Sequence, residues 1–144
     1  LLTWWTANDR DGLTWREPGR TEFQVLVAEI LLQRTTAAAV AGAYRPFVAR
    51  YPTAEAVVAA PTEEIEQRID RLGLVKRAEF IERAALRIFD SHGGDVPRDH
   101  TDLVALHGVG EYTARSVLIH VDGAGIAAVD VNVRRLYRCT GRLR

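Results

Sequence analysis

Residues 21–33 confront any fold with a helix that has almost no polar face. Phe23, Val25, Leu26, Val27, Ala28, Ile30, Leu31 and Leu32 fall on nearly every side of it. A helix that is apolar all round has to be enclosed by other elements rather than laid on a surface. Between Val25 and Leu32 only Glu29 interrupts the run. A carboxylate there is costly unless it is paired or neutral. Two readings stand: a structural ion pair with an arginine from another helix, or an acid that opens into a pocket.

The remaining chain reads as helical too. Ala, Leu, Arg and Glu dominate, and β-branched alternation is absent. Leu1 to Asn8 is a short helix. Thr36 to Tyr51 forms a second long one, ended by Pro52, and Thr53 to Ala60 a short one. Pro61 sits in the first turn of the next, with Ile65, Ile69 and Leu72 on one face and Gly73 as its stop. Lys76 to Ser91 repeats Ile81, Ala85 and Ile88 and stops at Gly93-Gly94; Val131 to Thr140 is the last helix. A chain of 144 residues with 47% apolar content suits one domain with a real core.

Leu106-His107-Gly108-Val109-Gly110-Glu111-Tyr112-Thr113-Ala114 reads as the hairpin of a helix-hairpin-helix. Leu103, Val104 and Leu106 close one helix, Gly108 and Gly110 make a tight turn that a side-chain-bearing backbone would strain, and Thr113 to Val121 begins the next. The amides at that helix start, beside the positive end of the dipole, form an anion site suited to a phosphate. Some twenty residues on, the run Ile126-Ala127-Ala128-Val129 delivers Asp130. Asp130 can simply cap the helix that starts at Val131. A phosphate grip with an acid close behind it also suits chemistry on a nucleic acid.

Both segments resemble the helix-hairpin-helix Gly/Pro–Asp superfamily of DNA base-excision glycosylases. Phe23 to Val40, with the run Ala28 to Thr36 inside it, is similar to that family's first core helix, and Gly93-Gly94-Asp95-Val96-Pro97-Arg98 to the link before its hairpin. His107 stands where the family usually has proline. The resemblance implies an all-α fold: a six-helix barrel over residues 21–130, with residues 1–20 and 131–144 belonging to a second helical domain that the chain holds only in part. Leu1, Leu2, Trp4 and Trp5 then lack their usual cover, as in a truncated product, a fragment, or a chain whose second half is supplied elsewhere. An iron–sulfur cluster on four cysteines, present in many members, cannot form on Cys139 alone, so no cofactor or metal is expected within this chain.

The resemblance also assigns roles. Asp130 matches the catalytic aspartate, in the setting Val129-Asp130-Val131-Asn132-Val133-Arg134-Arg135, where it would stabilise positive charge on the sugar. Helix capping and catalysis are compatible for it. Glu29 would contact or protonate the target base. Tyr112 occupies the position at which some relatives carry a Schiff-base lysine; it either lines the base or sugar pocket or is an ordinary half-buried tyrosine. Lys76 is the single lysine and lies far from the hairpin in sequence, so a monofunctional enzyme using water is expected. Gln33 and Arg34 match the loop that fills the gap left by a flipped base. Leu74 matches an apolar wedge, or is a core leucine. Lys76, Arg77 and the C-terminal arginines, Arg134 among them, contact phosphates or form a solvated basic face. Gly108, Val109, Gly110 and Thr113 would hold the backbone.

The expected partner is double-stranded DNA with a mismatched or damaged base, the expected location the cytoplasm with the nucleoid. The run Glu29 to Thr36 with Tyr112 looks closer to thymine/uracil mismatch glycosylases acting opposite guanine than to adenine glycosylases; a non-catalytic DNA-binding fragment is the third reading. A formal net charge of zero runs mildly against DNA contact. Five arginines from Val131 to Arg144 with no acid run for it. One cysteine excludes an internal disulfide and fits a reducing compartment. No apolar run approaches a membrane span, and Leu1 to Trp5 is too short for a signal peptide.

Overall fold

The computed structural model describes residues 13–70, 73, 76–122, 125 and 128–140. The predicted N-terminal helix over Leu1 to Asn8, and Leu72 and Leu74, lie outside the described residues. Within them the structure is helical, with no strand. A 3₁₀ turn, Thr14–Arg16, leads into α1 (Glu22–Leu32), α2 (Ala37–Arg50), α3 (Ala54–Val58) and α4 (Thr62–Ile69). Then come α5 (Lys76–His92), α6 (His100–Val104), α7 (Glu111–Asp122) and α8 (Val131–Cys139). No helix among the described residues is long and apolar enough to cross a membrane.

Short polar side chains set where these helices begin. Thr21 and Gln24 form a reciprocal capping box ahead of α1. Thr36 caps α2 and Thr53 caps α3 through the amides of Ala39 and Ala56. Asp99 accepts from the amides of Thr101 and Asp102 at the head of α6, which holds its carboxyl below the usual range. Pro61 stands just outside α4 as its N-cap rather than in its first turn. Pro46 lies inside α2, which runs on to Arg50 because Tyr44, Phe47 and Val48 are packed in the core on either side.

As its sequence demands, α1 is central. Every residue from Phe23 to Leu31 except Gln24 is buried. It packs against α2, α5, α7 and the 3₁₀ turn, while α3 and α4 close on α5 and α6 on α7. Each enclosed Val, Leu, Ile or Phe contributes about 1.5–3 kcal/mol over leaving it in water. By contrast α8 buries no residue, and Val131, Leu136 and Tyr137 stand exposed on it.

The hairpin differs from its sequence reading in two respects. The second helix starts at Glu111 rather than Thr113, because Ala114 N–H already reaches Gly110 O at 2.9 Å. Only Gly108 needs to be glycine for conformational reasons: its φ is +79°, and a Cβ there would meet Phe80 Cγ at 2.6 Å. Phe80 also carries the His107 ring edge-on, with centroids 5.2 Å apart. Gly110 has no such φ and open space around it. Gly108→Ala is therefore expected to cost about 2–5 kcal/mol, left-handed backbone plus overpacking. Gly110→Ala should cost less than about 1 kcal/mol. Denaturant unfolding of the two variants checks the contrast, and equal losses would contradict it.

Candidate active site

A cleft of about 600 Å³ opens where α1, α7, α8 and the 3₁₀ turn meet. Glu29, Leu32, Gln33, Arg34 and Thr35 come from α1 and its exit, Tyr112 and Thr113 from α7, Asp130 and Asn132 from the head of α8, and Trp15 and Arg16 from the 3₁₀ turn. Glu29 and Asp130, 101 positions apart by subtraction of their numbers, thus line one cavity.

Glu29 is 8% exposed. No arginine pairs with it among the described residues, which corrects the ion-pair alternative. Its Oε1 instead accepts a hydrogen bond from Ser116 Oγ on α7 at 2.9 Å. Burial raises its pKa above 4.5, while the Ser116 bond and the charges of His120 and Arg16 pull the other way. Burial wins because a hydrogen bond to a charged group returns only about 1.5–3 kcal/mol, less than removing a carboxylate from water costs.

Asp130 is a helix cap and a cleft residue at once. Its Oδ1 accepts from Val133 N–H at 2.7 Å and its Oδ2 from Asn132 Nδ2 at 3.2 Å. Tyr112 is 43% exposed. Partial burial raises the pKa of its phenol, with the charges of Glu29 and Asp130 adding to the effect.

Two polar ties hold the α1 exit. Gln33 Nε2 donates to Gly108 O at 2.8 Å, joining this loop to the hairpin. Arg77 donates to Gln33 O and Thr35 Oγ1. Between those two anchors Arg34 adopts φ +55°, a left-handed conformation that costs a non-glycine residue about 1–2 kcal/mol. Arg77 is 2% exposed and its guanidinium pKa is lowered by burial. Its predicted phosphate contact is therefore corrected: α5 turns this side chain inward, onto the loop.

Lys76 and Arg134 are exposed, away from the cleft lining. Val109 and Thr113 are buried and Gly110 is exposed at the hairpin, with Thr113 also lining the cleft. Leu74 lies outside the described residues. Ser116, Arg16, Trp15 and Asn132 were not assigned roles from sequence. Asn132 could have been found from its place two residues after Asp130; nothing local distinguishes Ser116 or Arg16. Among the described residues no cluster of His, Cys, Asp and Glu could hold a metal ion, and Cys139 is exposed.

Residues 27–144 match the family described as HhH-GPD superfamily base excision DNA repair protein. An adenine DNA glycosylase of Mycobacterium tuberculosis is 40% identical over 94% of this chain and 44% of its own length. A thymine/uracil-DNA glycosylase of Methanothermobacter thermautotrophicus is 36% identical over 94% of this chain and 61% of its own. The solved structure of a thermostable thymine-DNA glycosylase superposes with a TM-score of 0.85 at 36% identity, covering 94% of this chain and 62% of that one. The chain spans about half the length of the curated relatives it matches.

The raised pKa of Glu29 carries a stability consequence. Above pH 4.5 the unfolded carboxyl ionises first while the folded one still holds its proton, so the folded state binds more protons and stability falls as pH rises through that window. Glu29→Gln removes the effect. Its stability relative to the parent chain should grow from pH 4.5 upward and then level off; melting curves across that range that stay parallel would refute the assignment.

Proposed function

Because the chain belongs to the HhH-GPD superfamily of base excision DNA repair proteins, we propose that it carries the base-releasing cleft of a DNA glycosylase. The observation that carries this reading is the convergence of Glu29, Tyr112 and Asp130 on one cleft beside the hairpin. In the proposed reaction the N-glycosidic bond breaks as positive charge develops on the sugar, and the Asp130 carboxylate stabilises that charge. Glu29, whose protonated form burial favours, gives a hydrogen bond or its proton to the departing base. Water supplies the hydroxyl that ends on the sugar carbon and the proton that restores Glu29. Water as nucleophile needs no bound cofactor.

The substrate would be double-stranded DNA with the target base flipped out of the stack. The leading amides of α7, which have no acceptor within the first turn, suit a backbone phosphate. The carboxylate of Glu111 at that helix head is drawn aside to His100 and Arg115. Arg34, exposed at the cleft mouth, would fill the vacated stack together with Gln33 once its bond to Gly108 O is released, and the exposed Lys76 and Arg134 would meet phosphates. We favour thymine or uracil opposite guanine, on the run Glu29 to Thr36 together with Tyr112. Adenine opposite 8-oxoguanine or guanine is the second reading, favoured by the relative named an adenine DNA glycosylase. Tyr112 cannot form an imine, so the product is an abasic site with an intact strand.

Excision is measured on G·T, G·U and A·8-oxoguanine duplexes, with alkali revealing abasic sites. Release from the first two is expected; release of adenine alone would select the second reading. Asp130→Asn keeps the cap on Val133 but loses the charge, so it should retain DNA binding and lose excision on the order of several hundredfold. Near-normal excision by that variant would refute the role. Borohydride should trap little covalent complex.

A further inference from the structure

We propose that Ser116 is a positioning residue for Glu29, fixing one oxygen of its carboxyl from the neighbouring helix so that the other is presented to the cleft. This rests on the reading of Glu29 as the acid of the cleft. Ser116 Oγ meets Glu29 Oε1 at 2.9 Å across 87 positions of sequence. Among the described residues no hydrogen bond is made to Oε2. Glu29 lines the cleft and Ser116 does not. The serine therefore stands behind the acid and does not itself face the cavity.

Ser116 also hydrogen-bonds with the Tyr112 hydroxyl on its own helix, so it meets two groups of the cleft. Ser116 is 7% exposed in the middle of α7, between buried Ala114 and Val117. Alanine would serve the helix better there, and a buried hydroxyl costs free energy unless it is bonded. Its partner is the one buried carboxylate of α1. A carboxyl held by one oxygen loses rotational freedom and keeps the other oxygen aimed, which is what proton donation to a bound base demands. The same bond also limits how far burial raises the pKa of Glu29.

The other charged or titratable groups around Glu29 are Tyr112 and His120 from α7, Arg16 from the 3₁₀ turn, Asp130 from the head of α8 and Arg34 from the exit of α1, which lines the same cleft. His120 and Arg16 favour the ionised carboxylate, and His120 Nδ1 lies 3.2 Å from Ser116 O. Ser116 carries no charge in any protonation state, so its removal changes its hydrogen bonds to Glu29 and Tyr112 without changing the formal charge of the site.

The test is a titration of the Glu29 carboxyl in the free full chain, by carbon-13 NMR of glutamate-labelled protein, the signal identified by its loss in Glu29→Gln. Ser116→Ala should raise the midpoint by about one pH unit, the scale of one hydrogen bond to a charged group. Ser116→Cys keeps much of the volume with a weaker donor and should give an intermediate rise, separating the bond from packing. The limb of the excision pH profile that reports Glu29 should move by the same amount in each variant. An unchanged midpoint in Ser116→Ala, or a Cys variant displaced as far as Ala, would overturn the inference. Should no duplex be processed at all, the glycosylase reading falls and the titration still decides the role of Ser116.

Discussion

Enclosure of α1 is the constraint on which the rest of this structure depends. A helix with apolar side chains on nearly every face cannot be stable beside water, so α2, α5, α7 and the 3₁₀ turn gather round it. That arrangement places the hairpin, the head of α8 and the exit of α1 at one end of the bundle. The cleft forms where the enclosure is incomplete, beside Glu29, the one carboxylate that α1 buries. Burial there raises the pKa of Glu29 and favours its protonated form.

The polar groups around the cleft are tied down from behind. Ser116 holds Glu29, the amide of Val133 and the side chain of Asn132 hold Asp130, Gln33 reaches the hairpin carbonyl, and Arg77 brackets the left-handed Arg34. Each tie joins elements far apart in sequence or locks a helix terminus. A site built this way is set by the rigid bundle rather than by the loop that carries it, which suits chemistry that needs reacting groups fixed within a fraction of an ångström.

Charge is arranged rather than accumulated. The chain is neutral overall, and several surface carboxylates are taken up locally: Glu17 with Arg20 and Arg45, Glu64 with Arg50 and Arg68, Glu22 with Arg98. These exposed pairs add little stability. They do leave Arg134, Arg135 and Arg138 on α8 as a basic surface with no acid in their own helix. A neutral total therefore says little about whether one face meets an anionic partner.

The sequence by itself determined the helical class, the central place of Phe23 to Leu32 and most helix starts, because these follow from side-chain period and from caps within three residues of the chain they act on. Resemblance to a known family picked out Glu29 and Asp130 as candidates, and the structure brought them to one cleft. Tertiary structure decided what local pattern cannot encode. Arg77 and Lys76 are neighbours in sequence and both basic, yet one faces solvent and the other is buried beneath the α1 exit. Gly108 and Gly110 look equivalent in the motif, but only Gly108 lies against Phe80 with a positive φ. Ser116 reads as one more small helix residue until α7 is laid against α1. Period and capping are properties of a few adjacent residues; which side chain meets which across the bundle depends on how the helices pack, and that is fixed only once the core has closed.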